Sequence, residues 1–284
     1  MKPLQQYKFS KALRPFSLVV AVVSCGLGIL IAWNDGFQNT STALWIMLGG
    51  ILAQAGINLI NDIEDLPLIP NDHAQHTLIK GMIDRNTKAG IICFALASAI
   101  GLYLVSIQGW PLFFLILISG LISLSYNFGP INFKHRGLAM IQVFLLMGIF
   151  MVQGAYLAMS GEFSSTALLH SIPISFLISL LLLSNELRDW ETDKNKNIHT
   201  LTVRIGYQNS VHLYWFLIFS SYFLALSFFL FGQLHQLLWL LIPLPLLIPI
   251  KQYLSATERM QLTPMTGRFF FLFGVAYMLA LGIR

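Results

Sequence analysis

Nine apolar runs divide the chain, and each is long enough to cross a lipid bilayer, which requires about 20 mainly apolar residues. The runs cover roughly 17–33, 43–60, 88–107, 110–128, 138–159, 167–185, 211–231, 235–250 and 268–283. Only 10% of the residues are charged, whereas a soluble globular domain carries about 25%. The sequence therefore predicts an all-α, polytopic membrane protein with nine transmembrane helices. Because no stretch of soluble-domain composition interrupts the runs, residues 1–284 are expected to form a single integral-membrane domain.

The positive charges are sorted between the two sides of the predicted membrane. A net charge of +5 is compatible with nucleic-acid binding. However, the cations flank the apolar runs, so the predicted partner is a lipid bilayer and not a nucleic acid. Nine spans place every Lys and Arg except Arg284 on one side, which the positive-inside rule assigns to the cytoplasm. We therefore expect a cytoplasmic N-terminus, an outer C-terminus and a location in a cell inner membrane.

The eighth run contains three prolines, Pro243, Pro245 and Pro249. Each proline removes a backbone N–H donor and disturbs helix geometry. We expect this span to be kinked, or packed against neighbours that satisfy the freed carbonyl groups.

An acidic motif ends the second run, with the sequence Asn58-Leu-Ile-Asn61-Asp62-Ile-Glu-Asp65. If the helix continues through it, Asn58, Asp62 and Asp65 lie on one face. Carboxylates stacked in this way repel one another unless a cation lies between them. Mg²⁺ fits, because it prefers oxygen ligands and commonly joins carboxylates to a substrate phosphate. A solvated helix end is the alternative for this motif taken alone.

A second acidic motif follows the sixth run, on the same predicted side of the membrane. Asn185, Asp189 and Asp193 are spaced one helical turn apart there. Arg188 lies inside the motif, where a contact with a diphosphate oxygen is favoured over simple anchoring in lipid. Two facing carboxylate clusters can hold Mg²⁺ around one diphosphate and neutralise its charge as a C–O bond breaks.

Other polar residues lie near or within the spans. Lys134 is a further candidate for a diphosphate contact, although a cytoplasmic cation also anchors a membrane protein without any catalytic role. Tyr126 ends the fourth run, and Gln142, Gln153 and Tyr156 lie within the fifth. Tyr126 and these three residues either line an acceptor pocket or form hydrogen bonds between helices.

These motifs resemble the two aspartate motifs of the UbiA-type intramembrane aromatic prenyltransferases. The resemblance includes Leu13-Arg14-Pro15 before the first run, Tyr126-Asn-Phe-Gly-Pro130 after the fourth and Phe133-Lys-His-Arg-Gly-Leu138 before the fifth. The second motif, from Asn185 to Gly206, is the most specific part. Within the family the sequence is most similar to the 1,4-dihydroxy-2-naphthoate polyprenyltransferases of menaquinone synthesis.

The resemblance implies nine helices around a central cavity and Mg²⁺-dependent transfer of a polyprenyl group from polyprenyl diphosphate to an aromatic acceptor, here 1,4-dihydroxy-2-naphthoate. It assigns the catalytic and metal-binding roles to Asp62, Asp65, Asp189 and Asp193. The residues assigned to substrate binding are Asn58, Asn61, Tyr126, Lys134, Asn185 and Arg188.

The sequence departs from the family pattern at several positions. Asp72 stands one step beyond the usual place of a third aspartate in the first motif, and the other departures are His76, Met140, Glu186 and Ile198. Alternative acceptors are 4-hydroxybenzoate, another phenol, a tetrapyrrole or a glycerol phosphate, and an internal double bond would make the protein a terpene cyclase. A cation-coupled transporter is less favoured, because transporters place their binding acids near mid-membrane.

Overall fold

The structure is a computed structural model that describes residues 4–68, 75–124 and 136–282, and every regular element in these ranges is helical. The α-helices are α1 Phe9–Ala12, α2 Pro15–Asn34, α3 Thr40–Ile60, α4 His76–Gln108, α5 Trp110–Leu124, α6 Ala139–Val143, α7 Met151–Ser160, α8 Ser165–Asn195, α9 Leu201–Ile205, α10 Tyr207–Leu230, α11 Leu247–Ser255 and α12 Leu262–Gly282. A π-helical segment over Phe144–Phe150 joins α6 to α7. The prediction of an all-α membrane protein is confirmed.

Eight helical segments of the described residues are long and apolar enough to cross a membrane, one fewer than the nine predicted. The difference falls on the fourth predicted run, 110–128. Its helix, α5, is described only as far as Leu124, and its apolar part is shorter than the other spans.

The proline-rich eighth span is broken, as predicted. Short 3₁₀ helices cover Leu237–Leu241 and Leu244–Leu246, and a regular α-helix, α11, begins only at Leu247. The hydroxyl of Tyr222 on α10 donates to the carbonyl oxygen of Leu240 at 3.0 Å. A neighbouring helix therefore satisfies a carbonyl group that this irregular segment leaves without a helical partner.

Helix α8 occupies the centre of the bundle and packs against α10, α12 and the π-helical segment. The approach is close at Gly148, where an added Cβ would lie 1.9 Å from Oγ of Ser175. Ser24 on α2 donates to the carbonyl oxygen of Met147 at 2.7 Å, within the π-helical segment. Small residues thus allow close helix contact, and a hydroxyl group satisfies backbone that is not α-helical.

The polar residues of the fifth run form hydrogen bonds between segments. Gln142 donates to the carbonyl oxygen of Ile122, Gln153 to that of Ser164, and Tyr156 to the carboxylate of Asp35. Of the two interpretations offered by the sequence, the structure supports hydrogen bonding between helices for these three side chains.

Candidate active site at one end of the bundle

The first aspartate motif does not continue α3 as an α-helix. Helix α3 ends at Ile60, and a 3₁₀ helix covers Asn61–Leu68. Pro67 lies in this segment and lacks the N–H group that an α-helical hydrogen bond would need. The predicted α-helical face of Asn58, Asp62 and Asp65 is therefore corrected. Asp62 and Asp65 lie one 3₁₀ turn apart, and the side chain of Asp65 lies outside the described part.

Asp62 is buried and paired with a cation from the start of the chain. Its side chain is 7% exposed, and Nη2 of Arg14 lies 2.9 Å from Oδ1 of Asp62. Arg14 has a positive φ of 49° and precedes Pro15, the first residue of α2. The α-helical region is disfavoured before a proline, so α2 begins after Arg14. The ion pair supplies the partner that a buried carboxylate requires.

Asn58 holds the turn that carries Arg14. It is 3% exposed, and its Nδ2 donates to the carbonyl oxygen of Leu13 at 2.9 Å and to Oγ of Ser17 at 2.7 Å. Asn58 therefore fixes the end of α3 against the beginning of α2. Asn61, three residues later, is half-buried.

The second aspartate motif lies on the last three turns of α8, as its spacing predicted. Arg188 donates from Nε and Nη2 to the two carboxylate oxygens of Asp189 at 2.9 and 2.6 Å, and from Nη1 to the hydroxyl of Thr263 at 3.4 Å. Asn185 and Asp193 are half-buried, one helical turn before and after Asp189. The helix continues to Asn195, so these three residues share one face.

Helices α2 and α12 bring the two motifs to the same end of the bundle. The position where a Cβ of Gly267, on α12, would stand lies 3.3 Å from the backbone of Phe16 and 3.8 Å from the Leu181 side chain on α8. Phe16 follows the partner of Asp62 by two residues, and Thr263, one turn before Gly267, contacts Arg188. One packed wall therefore connects the two motifs.

Glu186 is a site residue that the sequence did not reveal, since it was noted there only as a departure from the family pattern. It is 7% exposed, and its Oε2 accepts the backbone N–H of Thr202 at 3.1 Å. Trp190 donates from Nε1 to the carbonyl oxygen of Thr202 at 3.3 Å. The backbone N–H and C=O groups of Thr202 thus both bind side chains of α8, and these two hydrogen bonds hold α9 against α8. In the sequence, the signal that could have identified Glu186 was an acidic residue within the predicted helix of the second motif.

Several predicted residues lie outside the described residues, namely Asp72, Tyr126 and Lys134. The chain is described again from Arg136. The position where a Cβ of Gly137 would stand lies 2.9 Å from the Arg204 side chain and 3.4 Å from Cα of Leu201, so this part of the chain packs against α9.

The described part of the site offers carboxylates of the kind that Mg²⁺ binds. Among residues whose side chains are described, no group of three or more His, Cys, Asp or Glu is gathered. Asp62 and Asp189 each already hold a guanidinium group. Mg²⁺ prefers hard, negatively charged oxygen ligands, and carboxylate oxygens are such ligands. Because these carboxylates already bind cationic guanidinium groups, their chemistry also fits a divalent cation.

The described part of the chain is an all-helical bundle of the membrane-protein class, with two acidic motifs at one end. Residues 19–275 match the model of the UbiA prenyltransferase family. The chain belongs to that family and is a prenyltransferase.

Curated relatives cover nearly the whole chain. It is 28% identical to the 1,4-dihydroxy-2-naphthoate octaprenyltransferase of Escherichia coli (strain K12), over 91% of this chain and 88% of the relative. It is 29% identical to a UbiA prenyltransferase domain-containing protein 1 homolog of Drosophila melanogaster, over 95% of this chain and 77% of the relative.

Solved structures share the fold. A UbiA homolog from Archaeoglobus fulgidus, bound to GPP and Mg²⁺, superposes with a TM-score of 0.60 at 15% identity, covering 95% of this chain and 99% of that one. A structure of digeranylgeranylglyceryl phosphate synthase superposes with a TM-score of 0.62 at 17% identity, covering 99% of both chains.

Proposed function

We propose that this protein is a Mg²⁺-dependent enzyme that transfers a polyprenyl group from polyprenyl diphosphate to 1,4-dihydroxy-2-naphthoate, in menaquinone synthesis. The observation that carries the proposal is the packed wall of α2 and α12, with Asp62 and its Arg14 at one side and Asp189 and its Arg188 at the other. The similarity to the octaprenyltransferase of Escherichia coli over most of both chains supports the choice of acceptor.

The proposed roles divide the site by charge. The proposed ligands of Mg²⁺ are Asp62, Asp65, Asp189 and Asp193. The ion would offset the negative charge that develops on the departing diphosphate as the allylic C–O bond breaks. Asn58 orients the turn that carries Arg14. The further assignments to diphosphate and acceptor binding are Asn61, Tyr126, Lys134, Asn185 and Arg188.

The acidic side chains and arginines prepare the site before the substrate arrives. Arg14 and Arg188 pair with Asp62 and Asp189 and orient their carboxylates, so little reorganisation is needed when a polyanion binds. Arg188 is also hydrogen-bonded to Thr263 of α12, which fixes its guanidinium plane. A developing carbocation next to a departing diphosphate is stabilised by this ordered field, and each 1.36 kcal/mol of stabilisation raises the rate about tenfold.

The test is an assay of the purified protein in lipid with geranylgeranyl diphosphate and a panel of acceptors. We expect a prenylated naphthoate and released diphosphate, both requiring Mg²⁺. Asp62→Asn and Asp193→Asn should reduce turnover at least 100-fold. The matched control is Glu162→Gln, because Glu162 is an exposed acid in the turn between α7 and α8.

The acceptor panel separates the proposal from its alternatives. Product with 4-hydroxybenzoate, a tetrapyrrole or a glycerol phosphate, but none with the naphthoate, would keep the prenyl transfer and reject the acceptor. A hydrocarbon formed without any acceptor would indicate a terpene cyclase. Unchanged turnover in both aspartate variants would reject the assignment of the site.

A further inference from the structure

A recess lies beside the second aspartate motif, between the first turns of α10 and the end of α11. Its volume is about 460 Å³. Two cationic side chains, Lys251 and Arg259, line it together with the apolar side chains of Val211, Trp215 and Leu254. A recess that is basic at one side and apolar at another suits an amphipathic anion.

The recess lies at the level of the bundle where lipid headgroups are expected. Arg259 pairs with Glu191 of the second motif, which places the recess at the same end of the bundle as the aspartates. Farther along α10, Phe216, Phe219 and Phe223 are 59%, 67% and 57% exposed, so this helix has a face toward lipid. The recess therefore lies where a lipid-facing helix reaches the membrane surface.

Arg259 is held in place but keeps hydrogen-bonding capacity. Its Nη1 donates to both carboxylate oxygens of Glu191 at 2.7 and 2.9 Å, and its guanidinium carbon lies 4.2 Å from the ring centre of Tyr207. The side chain is 11% exposed, and its Nε is buried without a partner in the described structure. A guanidinium group has five N–H donors, so one carboxylate does not saturate it.

Lys251 leaves a positive charge without compensation. Its side chain is exposed, and no acidic side chain of the described residues pairs with it. The recess is also lined by Tyr207 and Gln208, the first two residues of α10, and this helix has no side-chain cap at its N-terminus. Because a helix N-terminus carries partial positive charge, the recess is lined by two cations and a helix end, and no acid is among its described lining residues. Glu191 offsets one of the two cations, so the lining favours an anion.

We propose that this recess binds the phosphate of an anionic phospholipid from the cytoplasmic leaflet. Lys251 and Arg259 contact the phosphate, and the first part of the acyl chain lies along Val211 and Trp215. Basic recesses between membrane helices on the cytoplasmic side bind phosphate-bearing lipid headgroups.

One residue, Glu191, connects the recess to α8, the helix that carries the second aspartate motif. Glu191 lies between Asp189 and Asp193 on α8 and is bound by Arg259. A lipid phosphate that fixes Arg259 therefore also fixes the end of α8. The proposal concerns lipid binding and stands independently of which acceptor the enzyme uses.

The experiment measures lipid binding to the full-length protein in detergent by native mass spectrometry. Phosphatidylglycerol and phosphatidylcholine with the same acyl chains are compared, together with inorganic phosphate. We expect phosphatidylglycerol to bind preferentially and Lys251→Gln to weaken that binding about fivefold, which corresponds to about 1 kcal/mol. Lys80→Gln is the matched control, because Lys80 is an exposed cation in the first turn and a half of α4, far along the chain from the recess.

A second variant tests the apolar side of the recess. Trp215→Ala should weaken binding of phosphatidylglycerol without changing any charge, and its folding is checked by its melting temperature. Equal binding of the two lipids, or equal losses in Lys251→Gln and Lys80→Gln, would overturn the proposal. So would inorganic phosphate that binds in a Lys251-dependent manner while phosphatidylglycerol does not, since the recess would then be a site for free phosphate.

Discussion

The guanidinium group of Arg14 lies 2.9 Å from the carboxylate of Asp62, although 48 positions separate the two residues. The arginine stands in the turn before the first membrane helix, and the aspartate stands after the second. A cation of the chain itself therefore occupies one side of a carboxylate that the proposed function assigns to Mg²⁺. Binding of Mg²⁺ to Asp62 must compete with, or rearrange, this ion pair.

Arg14→Gln tests that competition. The variant removes one cationic partner of a buried carboxylate, at a cost of about 1–3 kcal/mol. We expect a lower melting temperature without Mg²⁺, and a larger rise on addition of Mg²⁺ than the wild-type protein shows. Differential scanning fluorimetry across a Mg²⁺ titration measures both effects. Lys11→Gln, in the neighbouring helix α1, is the control, and an identical Mg²⁺ response in the two variants would contradict the competition.

Glu186 provides a test of how α9 is held on the second motif. Glu186→Ala removes the acceptor of the Thr202 N–H group, and an unsatisfied buried donor costs about 1–3 kcal/mol. We expect faster proteolysis between residues 196 and 206 and a higher KM for the diphosphate substrate. Glu186→Gln keeps an oxygen that can accept the same hydrogen bond and should behave like the wild-type protein. Equal behaviour of the Gln and Ala variants would remove the proposed positioning role.

The contact between Gly148 and Ser175 provides a test of the fold itself. A Cβ at position 148 would lie 1.9 Å from Oγ and 2.5 Å from Cβ of Ser175, so Gly148→Ala must push the π-helical segment away from α8. Overpacking of this kind costs about 1–3 kcal/mol. Ser175→Gly in the same chain removes the two nearest clashing atoms and leaves only Cα of residue 175, at 2.9 Å, so it should recover part of the lost stability. A double-mutant cycle on melting temperatures measures this coupling, and purely additive losses would contradict the contact.

The sequence predicted those parts of the site that depend on local periodicity. The helical spacing of Asp189 and Asp193 was correct because α8 continues without interruption to Asn195. The spacing assumed for Asp62 was not correct, because the chain there tightens into a 3₁₀ helix over Asn61–Leu68, a stretch that contains Pro67. Hydropathy also missed the start of α4 at His76, since the polar turns of a helix outside the membrane carry no apolar signal.

Contacts between residues far apart in the sequence could not be predicted from sequence patterns alone. Nothing in the sequence pairs Arg14 with Asp62 or Glu191 with Arg259, because each pair is brought together only by the packing of other helices. Tyr156 and Gln153 were open to two interpretations for the same reason. A polar side chain in a span faces protein in either case, and only the position of its partner distinguishes a pocket from a hydrogen bond between helices.

The orientation of the protein in the membrane is a further prediction, and it rests on the distribution of Lys and Arg. Both aspartate motifs are expected in the cytoplasm, and the turn that contains Glu162 is expected outside.

Thr257 and Glu162 are exposed at positions assigned to opposite sides, so Thr257→Cys and Glu162→Cys form a matched pair. In intact cells a membrane-impermeant maleimide should label only the cysteine at position 162, and in inverted vesicles only that at position 257. The native Cys25 is buried, and the unsubstituted protein measures any background from Cys93. The reverse labelling pattern would place the acidic site on the outer surface.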